Sequence, residues 1–385
     1  MNDKPPCTDA RRQALKQLAG VAAAALGTPA LAQRGNRNIV LGQSAAMSGP
    51  AAQLGIQFRH GALLAFDRAN ARGGVNGRSV ELRSMDDGYE PAWCQANTQV
   101  LLNDDVLALF GYVGTPTSLA ALPMATTAKT PFIAPFTGAQ ALREPFNRYA
   151  FHLRASYFDE TARIVNQVTQ VGMKRVAVFH QNDSYGQAGL AGVTRALKSL
   201  QLEPVATGTV ERNSVEVAAA VAQLLPSRPE AIVQVSAYKS CAAFVRAARR
   251  AGYAGQFYNV SFVGTQALAD ELGPDARGVV VSQVMPYPFA PLIPLTNEFL
   301  GAANAAQPKV QANYSSIEGY IAGRVVLEGL RRAGAGLTRE GLIAGLESIQ
   351  NVDFGGFFVD FGPRKHVGSS FVDLTILDGS GRVRR

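Results

Sequence analysis

Residues 46–91 read AMSGPAAQLGIQFRHGALLAFDRANARGGVNGRSVELRSMDDGYEP. Five pieces follow one another there. A small polar loop ends near Gly49, and a helix starts between Pro50 and Leu54. Phe58, Ala62, Ala65, Phe66 and Ala69 recur at helical spacing and form its buried face. Gly73, Gly74, Asn76 and Gly77 supply residues that tolerate positive φ, so the chain can turn tightly. Val80 and Leu82 then alternate with Ser79, Glu81 and Arg83, the pattern of a half-buried strand. Asp86 and Asp87 close it, read as a solvated strand end rather than an acid–base pair. Just upstream, Ile39, Val40 and Leu41 are a short apolar run suited to a strand covered on both faces.

The same alternation runs through the rest of the chain. Strands are expected at Val106–Phe110, Phe132–Ala134, Arg175–His180, Glu203–Val210, Ala231–Val235, Gln256–Val260, Val279–Val284, Phe357–Phe361 and Phe371–Leu377. Helices are expected at Ser118–Lys129, Thr161–Val171, Gly186–Leu200, Val215–Leu224, Cys241–Ala251, Tyr314–Ala333 and Thr338–Ile349. Strand and helix in turn imply an α/β protein with parallel sheets covered by helices. Ligands of such sheets sit beyond the carboxyl ends of the strands. The loops after Leu41, Phe110, Ala134, His180, Val235 and Val260 are therefore the ones to watch.

A length of 385 residues allows two domains, and 47% hydrophobic against 17% charged residues allows a sizeable core. The formal net charge is +8. Basic clusters with interleaved aromatics are absent, so this is surface character rather than a nucleic-acid footprint. Arg11 and Arg12 precede the apolar run Leu18–Leu26, which is too short to span a bilayer. Ala30-Leu31-Ala32 is a small-x-small cleavage site, so residues 1–32 read as an export signal and the mature chain starts at Gln33. The paired arginines fit a twin-arginine signal with departures at Ala10 and Ala14, and the Sec route stays open. Cys7 leaves with the signal. Cys94 and Cys241 fall in different lobes and are expected as separate buried thiols.

Residues 46–91, together with Val178–Gly186 (VFHQNDSYG), Phe244–Gly252 (FVRAARRAG) and Glu318–Arg324 (EGYIAGR), resemble the periplasmic solute-binding proteins of the leucine/isoleucine/valine family. Nearly all of the mature chain takes part. The resemblance implies the type I periplasmic binding protein fold, two doubly wound parallel-sheet lobes joined by a three-strand hinge. Residues 36–156 with 284–371 form lobe 1, and 157–283 with 372–385 form lobe 2. Hinges fall near Ser156, Ser282 and Val372. The familiar disulfide of the first lobe is missing, because Tyr89 and Gly114 stand at its positions.

The resemblance also implies site residues. Thr115 lies where a hydroxyl and a main-chain amide hold the ligand carboxylate. Its own setting, a hydroxyl-rich loop entering a helix, suits either an anion or plain capping by Thr115 or Thr117. Phe136, Thr137 and Gly138 match the next ligand loop, with the expected hydroxyl absent at Gly138. Tyr185 and Tyr238 match aromatics that lobe 2 presses onto the ligand, and Tyr320 one near the third crossover. Leu54 and Tyr112 are added as wall residues. Amino-acid binders carry an acid where this chain has Ser261. A buried ammonium without a counter-charge is costly, so Asp159 or Asp183 replaces that acid, or the ligand lacks an amine.

The four histidines show no metal-ligand spacing, and no nucleophile elbow, Walker loop or G-x-G-x-x-G occurs. Ser236-Ala-Tyr-Lys239 fits S-x-x-K by letters, with Ser236 ending a strand rather than starting a helix. The expected function is that of an exported, periplasmic, monomeric substrate-binding protein of an ABC importer, working without cofactor or metal beside membrane permease subunits. A ligand sensor of the same fold is the alternative, and an α/β enzyme the third reading.

Overall fold

The computed structural model describes residues 1–2 and 38–385, so nearly all of the expected export signal, and its expected cleavage site, lie outside the described residues. Both sheets belong to the compact unit Ile39–Arg385.

Lobe 1 begins with strand β1 (Ile39–Ala45), helix α1 (Ala52–Asn70), β2 (Val80–Asp86), α2 (Pro91–Asn103), β3 (Ala108–Phe110), α3 (Thr115–Thr127), β4 (Phe132–Ile133) and β5 (Ala150–Phe151). Its sheet runs β2-β1-β3-β4-β5 and is parallel throughout. The chain then enters lobe 2 through α4 (Tyr157–Gln170), β6 (Val176–Gln181), α5 (Ser184–Lys198), β7 (Ala206–Val210), α6 (Ala218–Leu224), β8 (Ala231–Val235), α7 (Tyr238–Arg250), β9 (Gln256–Asn259), α8 (Thr265–Leu272) and β10 (Val280–Gln283). It returns to lobe 1 for α9 (Pro294–Ala305), α10 (Tyr314–Ala333), α11 (Arg339–Glu347) and a two-stranded ribbon, β11 (Val352–Asp353) with β12 (Phe358–Val359). Lobe 2 receives the end of the chain as β13 (Asp373–Leu377) and β14 (Val383–Arg384).

The second sheet is ordered β14-β13-β10-β9-β8-β6-β7. Its inner strands β6 and β8 are buried along their whole length, as continuous apolar runs flanked by helices require. The sequence reading expected parallel strands only. Here β13 and β14 add an antiparallel edge, because the chain re-enters lobe 2 from the hinge and turns back at Gly379–Gly381. Three helices, α2, α8 and α9, were not anticipated. Helix α4 starts at Tyr157 rather than Thr161, since Ser156 and Asp159 form a capping box there.

Three passages join the lobes, after β5, after β10 and before β13. They run side by side. His152 bridges Val367 in parallel fashion, and Gln283 pairs with Asp373 where the other two passages meet.

In lobe 1, α1 and α10 approach closely because glycines face main chain. A Cβ on Gly61 would stand 1.7 Å from the Ser316 carbonyl oxygen, and one on Gly319 would stand 1.9 Å from that of Phe58. The Glu318–Arg324 motif is thus a helix-packing device, and it fixes which way Tyr320 can point.

Candidate functional site

Loops at the carboxyl ends of the two sheets meet in a closed cleft. On the lobe 1 side, α3 starts after Gly114, whose φ of 102° is open to glycine alone. The Thr115 hydroxyl lies 2.6 Å from that of Thr137, and Thr137 donates in turn to the Tyr157 hydroxyl at 3.4 Å. All three residues are fully buried. The capping alternative for Thr115 does not hold, since α3 has no side-chain cap and Thr117 donates to the Val113 carbonyl at 2.5 Å. The Phe136 carbonyl accepts the Gly114 N–H at 3.2 Å, which ties the two ligand loops together.

Gly138 has no room for the hydroxyl expected there. A Cβ would meet Tyr157 at 2.6 Å on the ring and 2.7 Å on the main-chain nitrogen. Tyr157 therefore brings the third hydroxyl in place of a residue at 138. Burial raises its phenol to about 12, so it stays a neutral hydrogen-bonding group.

Lobe 2 contributes aromatics. The Tyr185 ring packs 5.4 Å from Tyr157 and 4.6 Å from Phe262, centroid to centroid. Phe262 also reaches Phe136 at 5.7 Å and Tyr89 at 5.9 Å, so it is the ring on which both lobes converge. The Tyr185 hydroxyl is buried and has no hydrogen-bond partner. A buried orphan of that kind calls for an explanation, and a polar ligand is one. The Tyr238 hydroxyl meets the main chain of Gln53 across the cleft. Leu54 lies against Gly264 from the opposite lobe.

Ser261 is buried over Glu160. The Glu160 carboxylate accepts the Ser261 N–H at 2.7 Å, its hydroxyl at 3.0 Å and the Ser282 hydroxyl at 2.5 Å. Burial raises the Glu160 pKa, while Arg154 and these donors pull it down. Asp159 and Asp183, named as substitutes for the missing acid, serve elsewhere. Asp159 closes the capping box of α4, and Asp183 caps α5 while pairing with Arg212 at 3.2 Å. Arg154 binds Glu318 through two bonds of 2.8–2.9 Å and stacks 4.2 Å from the centre of the Phe136 ring.

Two named residues do not join this group. The Tyr320 hydroxyl donates to Glu298 at 2.9 Å and its ring packs on Phe299, on the side of lobe 1 formed by α9. Tyr112 shares a 3.0 Å hydrogen bond with Thr98 and packs 4.9 Å from Phe132 within lobe 1.

The sequence reading passed over Tyr89, Phe262, Glu160 and Arg154. Tyr89 stands where the family resemblance implies one end of a disulfide. Its ring covers Gly114, where a Cβ would stand 2.2 Å from it. Its φ is +65°, rare for an aromatic, and Asp87 holds its N–H at 2.9 Å. From lobe 2, Gln181 donates to the Tyr89 hydroxyl at 3.2 Å. The dipeptide Gly88-Tyr89 after an acidic strand end was the available signal. Beside it, Arg212 pairs with Glu90 at 2.9 Å, and Asn213 donates to the Gly88 carbonyl at 3.0 Å and to Glu90 at 2.7 Å. Cys94 and Cys241 are both buried and unbonded.

Residues 38–379 match the family model described as periplasmic binding protein. A Leu/Ile/Val-binding protein of Citrobacter freundii is 26% identical over 279 residues, 71% of this chain and 74% of its own. The crystal structure of a possible leucine/isoleucine/valine-binding protein from Rhodopirellula baltica SH 1 superimposes with a TM-score of 0.86 at 37% identity, covering 93% of this chain and 98% of that one. A substrate-binding periplasmic protein from Ralstonia solanacearum gives 0.85 at 31% identity, with 90% and 99% covered. Two sheets, three passages and a cleft closed by residues of both lobes fit this kinship, and the chain belongs to the periplasmic binding proteins, in the type I group that includes the Leu/Ile/Val-binding proteins.

Proposed function

We propose that this chain is the exported, periplasmic solute-binding component of an ABC importer. It captures a small carboxylate-bearing solute, an amino acid or a related organic acid, between its lobes and does not transform it. The division of residues 36–156 with 284–371 from 157–283 with 372–385 then describes two bodies that hinge on the three passages. The observation that carries this reading is the buried hydroxyl set of Thr115, Thr137 and Tyr157 on one side, faced by the unpartnered Tyr185 hydroxyl on the other. A polar cradle closed by an aromatic wall suits a small solute with one polar end.

Ligand settles first on Thr115 and Thr137 of lobe 1. Lobe 2 then swings in with Tyr185, Tyr238 and Phe262, and the closed shape is the one a permease recognises, a hinge-type population shift. The chain acts alone, as a monomer. The test is a thermal-shift and calorimetric screen of purified protein against amino acids, aromatic acids and short aliphatic acids. Saturable stabilisation by a carboxylate is expected. Stabilisation only by amines that lack a carboxylate, or turnover of the bound compound, overturns the proposal.

A further inference from the structure

Helices that begin at the cleft are finished in two ways. Helices α4 and α5 are capped by Ser156 with Asp159 and by Asp183. Helices α1, α3 and α7 follow Ala51, Gly114 and Ala237, which offer no side-chain cap, and none has an acid in its first turn. The starts of α3 and α7 are buried all the same, whereas Gln53 at the start of α1 is exposed. The first residues of α1 and α7 meet across the cleft through Gln53 and Tyr238, and Leu54 touches Gly264. Thr115, first in α3, aims its hydroxyl at Thr137. A buried helix start without a cap leaves N–H groups and a partial positive charge unanswered. Two of them bordering one cleft, those of α3 and α7, make a seat for an anion. The unpartnered, fully buried Tyr185 hydroxyl is a further donor in the same place.

Among the described residues, the carboxylates bordering the cleft are already engaged. The three donors from Ser261 and Ser282 occupy Glu160. Asp159 and Asp183 are spent on helix ends, and Arg154 holds Glu318 through two bonds. Glu90 is shared by Arg212 and Asn213. Asp87 holds Ser44 and the Tyr89 N–H. An ammonium enclosed here would displace one of these bonds or stay unpaired, and either is costly.

We propose that the cleft selects carboxylic acids that carry no amine, with an apolar or aromatic body set against Phe262 and Tyr185. This rests on the preceding reading of the cleft as a carboxylate site and narrows it. Matched pairs test it by calorimetry on the purified protein: 4-methylpentanoate against leucine, and 3-phenylpropanoate against phenylalanine. The amine-free member of the preferred pair is expected to bind about 100-fold more tightly. Equal or tighter binding of the amino acid overturns the proposal. So does an amine-bearing compound recovered by mass spectrometry from protein denatured after purification. The amide 3-phenylpropanamide separates the two readings. If it binds as well as the acid and phenylalanine does not, the carboxylate reading fails while amine exclusion stands. The variant Ala237→Asp supplies α7 with its own cap. Acid binding about 10-fold weaker at undiminished melting temperature is expected, and unchanged binding counts against the anion seat.

Discussion

Charges tie the cleft together at two places, and the two are built on opposite terms. Next to the first passage, Arg154 and Glu318 have side chains only 1% and 5% exposed and meet through two bonds. On the far side of Tyr89, Arg212 and Glu90 are 24% and 37% exposed, and their bridge joins one lobe to the other. The buried pair sits with Glu160 against the hinge, where geometry must not change. In the proposed opening motion, the exposed bridge spans surfaces that part. A deep pair is costly to break, whereas a wet pair forms and breaks cheaply. The same chemistry thus serves permanence in one place and reversibility in the other.

The largest effect is expected from splitting the buried pair. Glu318→Gln leaves Arg154 charged and half-partnered, and urea denaturation should report a loss of about 3–5 kcal/mol. The double variant Arg154→Met with Glu318→Leu should recover most of it, and failure to recover would show that stacking on Phe136 matters more than charge.

Asp87 provides a third case, a buried acid with neutral partners. Burial pushes its carboxyl up to about 6, against the hydrogen bonds from Ser44 and Tyr89. The folded state therefore holds the proton more tightly than the unfolded chain. Stability is greatest below the unfolded value near 4 and falls as pH rises toward 6, by up to about 3 kcal/mol, then levels off. Asp87→Asn should flatten that slope in melting curves recorded between pH 4 and 7.

Thr115→Val should cost about 1–3 kcal/mol in ligand affinity, read by calorimetry with whichever acid binds, through loss of a buried hydroxyl. Unchanged affinity would remove Thr115 from the cradle. The smallest effect belongs to the exposed bridge. Glu90→Gln should change stability by under about 1 kcal/mol. It should nevertheless enlarge the radius of gyration of the ligand-free protein in solution scattering, as added salt should in the parent. An effect on stability as large as that of Glu318→Gln would erase the contrast between the two places.

The sequence already carried the alternation of strands and helices, and with it the loops at the strand ends. Those signals are local, since hydrophobic period and glycine punctuation act over a few residues. Thr115, Thr137 and Tyr185 were legible as candidates because they sit on such loops. The acid under Ser261 was invisible, because Glu160 lies 101 positions away and joins it only through the fold. Phe262 read as one more apolar residue after a strand. Tyr320 lies apart from the other candidates for a definable reason. Gly319 and Gly323 turn their side of α10 onto α1, which leaves Tyr320 toward Glu298. The empty position at Gly138 made sense only once the Tyr157 ring was seen beside it.

The contact of Tyr89 with Gly114 has a consequence for biogenesis. Where the family resemblance implies a disulfide, this chain sets one ring on one glycine, and Cys94 and Cys241 remain buried thiols. The loop behind the cleft can mature without an oxidant. Reductant should leave melting temperature and ligand affinity alike untouched, and refolding in dithiothreitol should be complete. Such a protein can attain its final form on either side of a membrane.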